Sequence, residues 1–464
     1  MIIRVFVLLF LMVPMGVFAQ AEDKKETKEA FYWVTFTDKQ DNPYSVYRPE
    51  EYLSAKALSR RLRYQIRITE SDLPVNPHYL DSLRSKGAKI HHTSKWMNGA
   101  TILLEKGKEN ELKSFPFVNE VEYVGIPYSG IGRTRPYRDS LESELLDKHY
   151  GYADAQIRSF NGDSLHLQGY TGKGITVAVL DGGFINVDSI PFFDSLRIND
   201  QMGAHRDFVD GDHMVFESSS HGTQVLSTMA ANKPGLLVGT APGANYICIK
   251  TEDTRGEYRL EECHWVAGLE YADSIGADIV NSSLGYTTFN DKKMNYDYED
   301  LDGETAMTSR AADIAVSKGM IVVTSAGNEG NSKWKYLGTP ADGKEIFSIG
   351  ATNAEGQRAG FSSMGPTADG RTKPDVAAIG SWVAVASTSG YRVGIGSGTS
   401  FSSPLVTGMV ACLMEAFPDK TNKEILDAIR QSGSQHDAPD NELGHGVPDF
   451  LEAYRILQRS RVKP

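Results

Sequence analysis

Residues 175–183 read Ile-Thr-Val-Ala-Val-Leu-Asp-Gly-Gly. Six apolar or β-branched residues run without a break and end at glycines. The run is too short for a helix, so it reads as a strand buried on both faces. Similar runs recur at 245–249, 278–281, 320–324 and 346–349. Helical patterns alternate with them near 222–231, 261–275, 304–318, 402–416 and 421–432. Strand alternating with helix predicts an α/β fold, a mostly parallel sheet covered on both faces. Sites in such folds gather at the carboxyl ends of the strands.

Upstream the rhythm differs. Phe31–Phe36 reads as a strand, residues 50–67 place Arg and Leu at helical spacing, and Asn76–Ser85 reads as a helix stopped by Gly87. Strands at 88–94 and 99–104 flank an Asn98-Gly99 turn. A short helix near 108–114 and a strand at 118–124 follow. The order β-α-β-β-α-β predicts a small ferredoxin-like α+β unit with an insertion after its first strand. Gly, Pro and Arg break the pattern over 125–148, which sets the boundary between a unit of residues 20–145 and one of 146–464.

Residues 1–19 have a basic start at Arg4 and an apolar run, with Val17-Phe18-Ala19 before an expected cut after Ala19. The apolar run is short for a membrane span, no cysteine stands near the cut, and no second stretch is long enough to cross. These features predict a signal peptide and a secreted or periplasmic protein without a membrane anchor. The 464 residues are 40% apolar and 23% charged, an ordinary globular composition. The net charge of −12 divides into +2 over residues 1–150 and −14 over the rest, which argues against nucleic acid as a partner. Cys248, Cys263 and Cys412 are too few for a disulfide framework. Buried thiols are the expectation, with a Cys248–Cys263 bridge left open.

Four polar residues stand at strand ends or helix starts. Asp181 closes the 175–180 run, and His221 opens a helical pattern within Ser220-His221-Gly222-Thr223. Asn328 follows the 320–324 run within Ser325-Ala326-Gly327-Asn328-Glu329-Gly330. Ser400 opens the most apolar helical pattern within Gly398-Thr399-Ser400-Phe401-Ser402-Ser403-Pro404. Singly, each reads as a turn or a cap. Together, Asp, His and Ser form the set that activates a hydroxyl nucleophile. They follow one another at spacings of 40 and 179 residues.

The segments VAVLDGG, HGTQV and GTSFSSP resemble the three active-site blocks of the subtilisin-like serine proteases (subtilases), as does the order Asp, His, Ser. The resemblance covers about 150–455 and, more loosely, 30–125. It implies a subtilisin-like three-layer fold and a serine endopeptidase working through Asp181, His221 and Ser400, with Asn328 in the oxyanion hole. It implies substrate contacts at Ser283, Leu284 and Gly285 on one side and Ala326 and Gly327 on the other. It also implies that 20–145 is a propeptide acting as an intramolecular inhibitor, with an Arg-rich tail (Arg133, Arg135, Arg138) in the groove. Partners are then protein or peptide substrates.

Two departures stand out. Gly182 replaces the usual Ser or Thr after the catalytic Asp, so a supporting hydroxyl is missing. Residues 296–303 are rich in carboxylates that suit calcium or plain solvent, without the EF-hand pattern. No cofactor is needed for the chemistry, no catalytic metal is expected, and structural calcium has no assignable site. Trp334 and Tyr336 are candidates for the pocket border. Competing readings are a catalytically inactive binding module, an acid-type Ser-Glu-Asp relative, and a lipase. His221 in its own motif opposes the second; the lack of Gly-x-Ser-x-Gly opposes the third.

Overall fold

The computed structural model describes residues 27–128 and 143–461. The expected signal peptide and Arg133, Arg135 and Arg138 lie outside them. The first unit is built on β1 (Glu29–Phe36), which pairs antiparallel with β3 (Gly99–Glu105) and β4 (Val118–Gly125). With β2 (Lys89–Ser94) on β3, the strand order is β2-β3-β1-β4, as a ferredoxin-like unit requires. The helices α2 (Pro77–Ser85) and α3 (Glu109–Leu112) make its crossovers, and α1 (Ala55–Arg63) lies in the predicted insertion. Strand alternation explains the apolar run of β1. Ala30, Tyr32, Val34 and Phe36 face the unit's own core with Leu83 and Ile102. Phe31 and Trp33 face outward, and with Val124 they cover Leu260 and Cys263 of the second unit.

The main sheet of the second unit holds seven strands, all paired in parallel. In chain order they are β5 (Thr176–Asp181), β6 (Arg206–Asp207), β7 (Asn245–Lys250), β8 (Ile279–Ser282), β9 (Ile321–Ser325), β10 (Phe347–Thr352) and β11 (Val376–Ile379). In space they run β11-β10-β9-β8-β5-β7-β6. Every residue of β5 is buried. Val177 and Val179 pack toward α4 (His221–Ala230) and α7 (Thr399–Ala416); Ala178 and Leu180 pack toward α5 (Leu260–Ile275) and α6 (Met307–Ser317). The helix α7 crosses the sheet and is buried almost along its length. All three cysteines are free and buried, so no Cys248–Cys263 bridge forms. Among the described residues, no helix is long and apolar enough to cross a membrane.

The two units meet through charge as well as apolar surface. Asp273 of α5 is fully buried and receives Arg60 and Arg61 of α1, and Lys95 at 3.0 Å. Asp72 receives Arg61 at 3.1 Å and Lys318 at 2.9 Å. Both carboxyls are held below the ordinary 3.8, since these cations outweigh the burial that opposes their charge. Glu270 of α5 accepts the backbone N–H groups of Lys95 and Trp96.

Candidate active site

The strand ends of β5, β8 and β9 converge on one open cleft of about 380 Å³. Asp181, His221, Ser283, Leu284, Gly285, Gly327, Asn328 and Ser400 all line it. Asp181, at the carboxyl end of β5, is almost fully buried. Its carboxylate receives His221 Nδ1 at 2.9 and 3.0 Å and the Gly182 N–H at 2.7 Å. The backbone thus supplies the bond for which a neighbouring hydroxyl seemed missing. His221 is the first residue of α4, and Gly222 behind it is required. A Cβ there would stand 2.4 Å from the Gly183 carbonyl oxygen. Burial works against a charge on His221, but the field and hydrogen bond of Asp181 prevail and hold it above its usual 6.5.

Ser400 is the second residue of α7, where backbone N–H groups have no intrahelical acceptor. Its Oγ donates to the Ser283 carbonyl at 3.3 Å, and Ser283 Oγ returns a bond to the Ser400 carbonyl at 3.0 Å. The Oγ therefore rests on β8's extension, with His221 across the cleft. Asn328 accepts at Oδ1 from the Thr399 N–H at 2.9 Å and from Thr399 Oγ at 3.1 Å. That pairing turns its Nδ2 donor toward the cleft.

The expected substrate strip, Ser283-Leu284-Gly285, forms one wall, and Gly327 with Gly338 stands opposite. Ala326 is not on the surface of the cleft. Its side chain is buried with Leu337 and Ala341, and its backbone is bonded to Ile349 and Gly338. Trp334 donates to the Leu337 carbonyl and Tyr336 packs against Tyr298 with the rings tilted, and neither is part of the lining. Two carboxylates of 296–303 are taken up by nearby backbone N–H groups. Asp300 accepts from the Asp297 N–H and Asp302 from the Glu304 and Thr305 N–H groups.

Three contributors escaped the sequence reading. Buried Asn281 accepts from Ser403 at 3.1 Å and Thr407 at 3.0 Å and donates to Ser283 at 3.2 Å, pinning α7 to β8. Glu252 lines the cleft, accepts the Tyr286 hydroxyl at 3.2 Å, and is pushed well above the carboxylate range by burial and the neighbouring Glu257. Tyr128, the residue that closes the described stretch 27–128, packs on the second unit beside Tyr258. Asn290 donates to its hydroxyl at 3.0 Å, and a Cβ at Gly256 would stand 1.8 Å from that oxygen.

A family model described as the Subtilase family matches residues 172–446. Another, described as the Peptidase S8 propeptide domain of Bacteroidota, matches residues 31–136. Subtilisin NAT of Bacillus subtilis subsp. natto is 33% identical over 360 residues, covering 76% of this chain and 80% of that protein. Subtilisin E of Bacillus subtilis strain 168 gives the same figures. The thermostable alkaline protease of Halalkalibacterium halodurans is 31% identical over 63% of this chain and 70% of its own.

Proposed function

The chain belongs to the subtilase family of serine endopeptidases, and on that premise we propose that Ser400, His221 and Asp181 are its nucleophile, general base and orienting carboxylate. The observation that carries this reading is the buried Asp181–His221 bond inside the one cleft that also holds Ser400 and Asn328. With Nδ1 committed to Asp181, the Nε2 lone pair of His221 is the only one left to take a proton. Rotation about the Ser400 Cα–Cβ bond brings Oγ from the Ser283 carbonyl toward His221. Oγ then attacks the substrate carbonyl carbon as its proton passes to Nε2, giving an oxyanion. The Ser400 N–H and Asn328 Nδ2 receive that oxyanion, and the α7 N-terminus favours its charge. His221 returns the proton to the leaving amine, and water repeats the sequence on the acyl-enzyme. Substrate lies extended along Ser283-Leu284-Gly285 with Gly327 opposite.

Residues 20–145 act as the inhibiting propeptide of a secreted precursor. In support, the first unit covers α5 and sets Tyr128 against Gly256 of the second unit. A fluorophosphonate probe tests the nucleophile directly. One label on the matured protein, mapped to Ser400 by peptide mass and absent in Ser400→Ala, is expected; a labelled site elsewhere, or none, defeats the assignment. Adding isolated 20–145 to matured enzyme should abolish peptide hydrolysis.

A further inference from the structure

Adjacent residues of a strand point to opposite faces, yet His91 and His92 of β2 face the same way. The register of β2 on β3 shifts between Ile90 and His92, which leaves His91 as an extra residue. Such a bulge re-aims a side chain, and here it brings two imidazoles within 3.9 Å of each other, centroid to centroid. A third imidazole, His264 of α5, meets them edge-on from the other unit, with centroids at 5.4 and 5.1 Å. One ring nitrogen from each lies within 4.8 Å of the others.

These nitrogens lack partners. His264 is 1% exposed and neither of its ring nitrogens makes a hydrogen bond; the Thr251 backbone lies beside it without reaching bonding geometry. The Nε2 atoms of His91 and His92 are buried and unpartnered too. Buried polar atoms normally find a partner, and the adjoining interface satisfies both of its buried aspartates. Three imidazoles with open lone pairs are the donor set of a borderline divalent metal. The nearby charges cancel locally, with Lys250 on Asp207 and Asp210, and Arg255 on Asp210 and Asp253.

We propose that His91, His92 and His264 form a three-nitrogen site for a divalent transition metal, Zn²⁺ foremost, that clasps β2 of the first unit to α5 of the second. Tetrahedral ligands at 2.0–2.1 Å from zinc stand about 3.4 Å apart, so small ring rotations close the site. His91 is only half-buried and gives the ion access from solvent. The fourth position is left to water. No residue of the catalytic cleft takes part. Given the propeptide reading above, the clasp also slows departure of residues 20–145 after cleavage.

The test uses full-length Ser400→Ala protein, its integrity checked by intact mass, titrated with Co²⁺. One Co²⁺ per chain, with the visible absorption of tetrahedral nitrogen coordination and displacement by Zn²⁺, is expected. His264→Leu should weaken binding more than about 100-fold, beyond the ~10–100-fold cost of losing an outer-shell partner. His91→Gln, at the half-buried position, serves if His264→Leu does not fold. A folded chain that binds no Co²⁺, or binds it equally well in both variants, overturns the site. So does an interface that loosens on acidification identically with and without chelator while no metal is bound, because protonation alone then accounts for the cluster. Cleavage of the Ser400→Ala chain would instead count against Ser400 as nucleophile and leave the metal readout intact.

Discussion

The catalytic cleft and the contact between α1 and α5 both bury charge, but they finish their hydrogen bonds differently. At the contact, Asp273 is met by three cations and Asp72 by two. In the cleft, Asp181 is satisfied and the chain of bonds then stops. His221 keeps Nε2 open, Asn328 keeps Nδ2 open, and Ser400 rests on a carbonyl it can leave. Both aspartates of the contact are paired, so removing one strands its cations in a dry site. The cleft is open on the side where substrate arrives. A group that is buried, oriented and left one bond short is poised for chemistry, whereas a fully paired one is structural.

Four substitutions break or sharpen that contrast. Ser400→Ala should cost about 10⁶ in turnover of a fluorogenic peptide with little change in the urea midpoint, as expected for a group that acts with its partners as a unit. Asp181→Asn should cost about 10⁴ in turnover by losing the tautomer that leaves Nε2 free. It carries a second signature. The base must be neutral, so wild-type activity falls as pH drops through a His221 pKa held above 6.5. Without the carboxylate this acidic limb moves to lower pH in the kcat/KM profile. Asp273→Ala leaves Arg60, Arg61 and Lys95 without their acceptor. It should destabilise the full-length protein by about 3–5 kcal/mol in urea titration while matured enzyme turns over normally. Both interface carboxyls titrate below 3.8, so their support persists on acidification until pH falls through that depressed range. Asn328→Ala should cost about 10²–10³ in kcat at unchanged stability. Equal losses of stability and activity in any of the first, second or fourth variants would erase the distinction.

Much of this was legible in the chain because its causes are local. The apolar runs of β5 and β7–β10, the Asn98-Gly99 turn and the motif residues at strand ends each carry their own signal. The strand β11 escaped because Val-Ala-Ala-Ile is four residues long and weakly apolar. Asn281 and Glu252 escaped because a lone polar residue in or after a strand says nothing until its partners are known; Ser403 and Thr407 lie more than 120 residues away. Arg60 and Arg61 stand in a stretch legible only as Arg and Leu at helical spacing, yet they are buried against an aspartate over 200 residues distant. Ala326 shows the converse. Its neighbour Gly327 lines the cleft while its own side chain is buried with Leu337 and Ala341, because the direction of one side chain depends on a turn that sequence spacing does not encode. The histidine cluster needed a bulge and a second unit before its members met.

Gly256 has a consequence for ancestry. The phenol of Tyr128 occupies the space where any side chain at position 256 would begin. The two residues travel in one gene, so each copy of the protein is made beside the partner it fits. A relative that gained even a methyl group there would push the Tyr128 ring aside and cost Asn290 the hydroxyl to which it donates, so the two positions change together or the ring finds another seat.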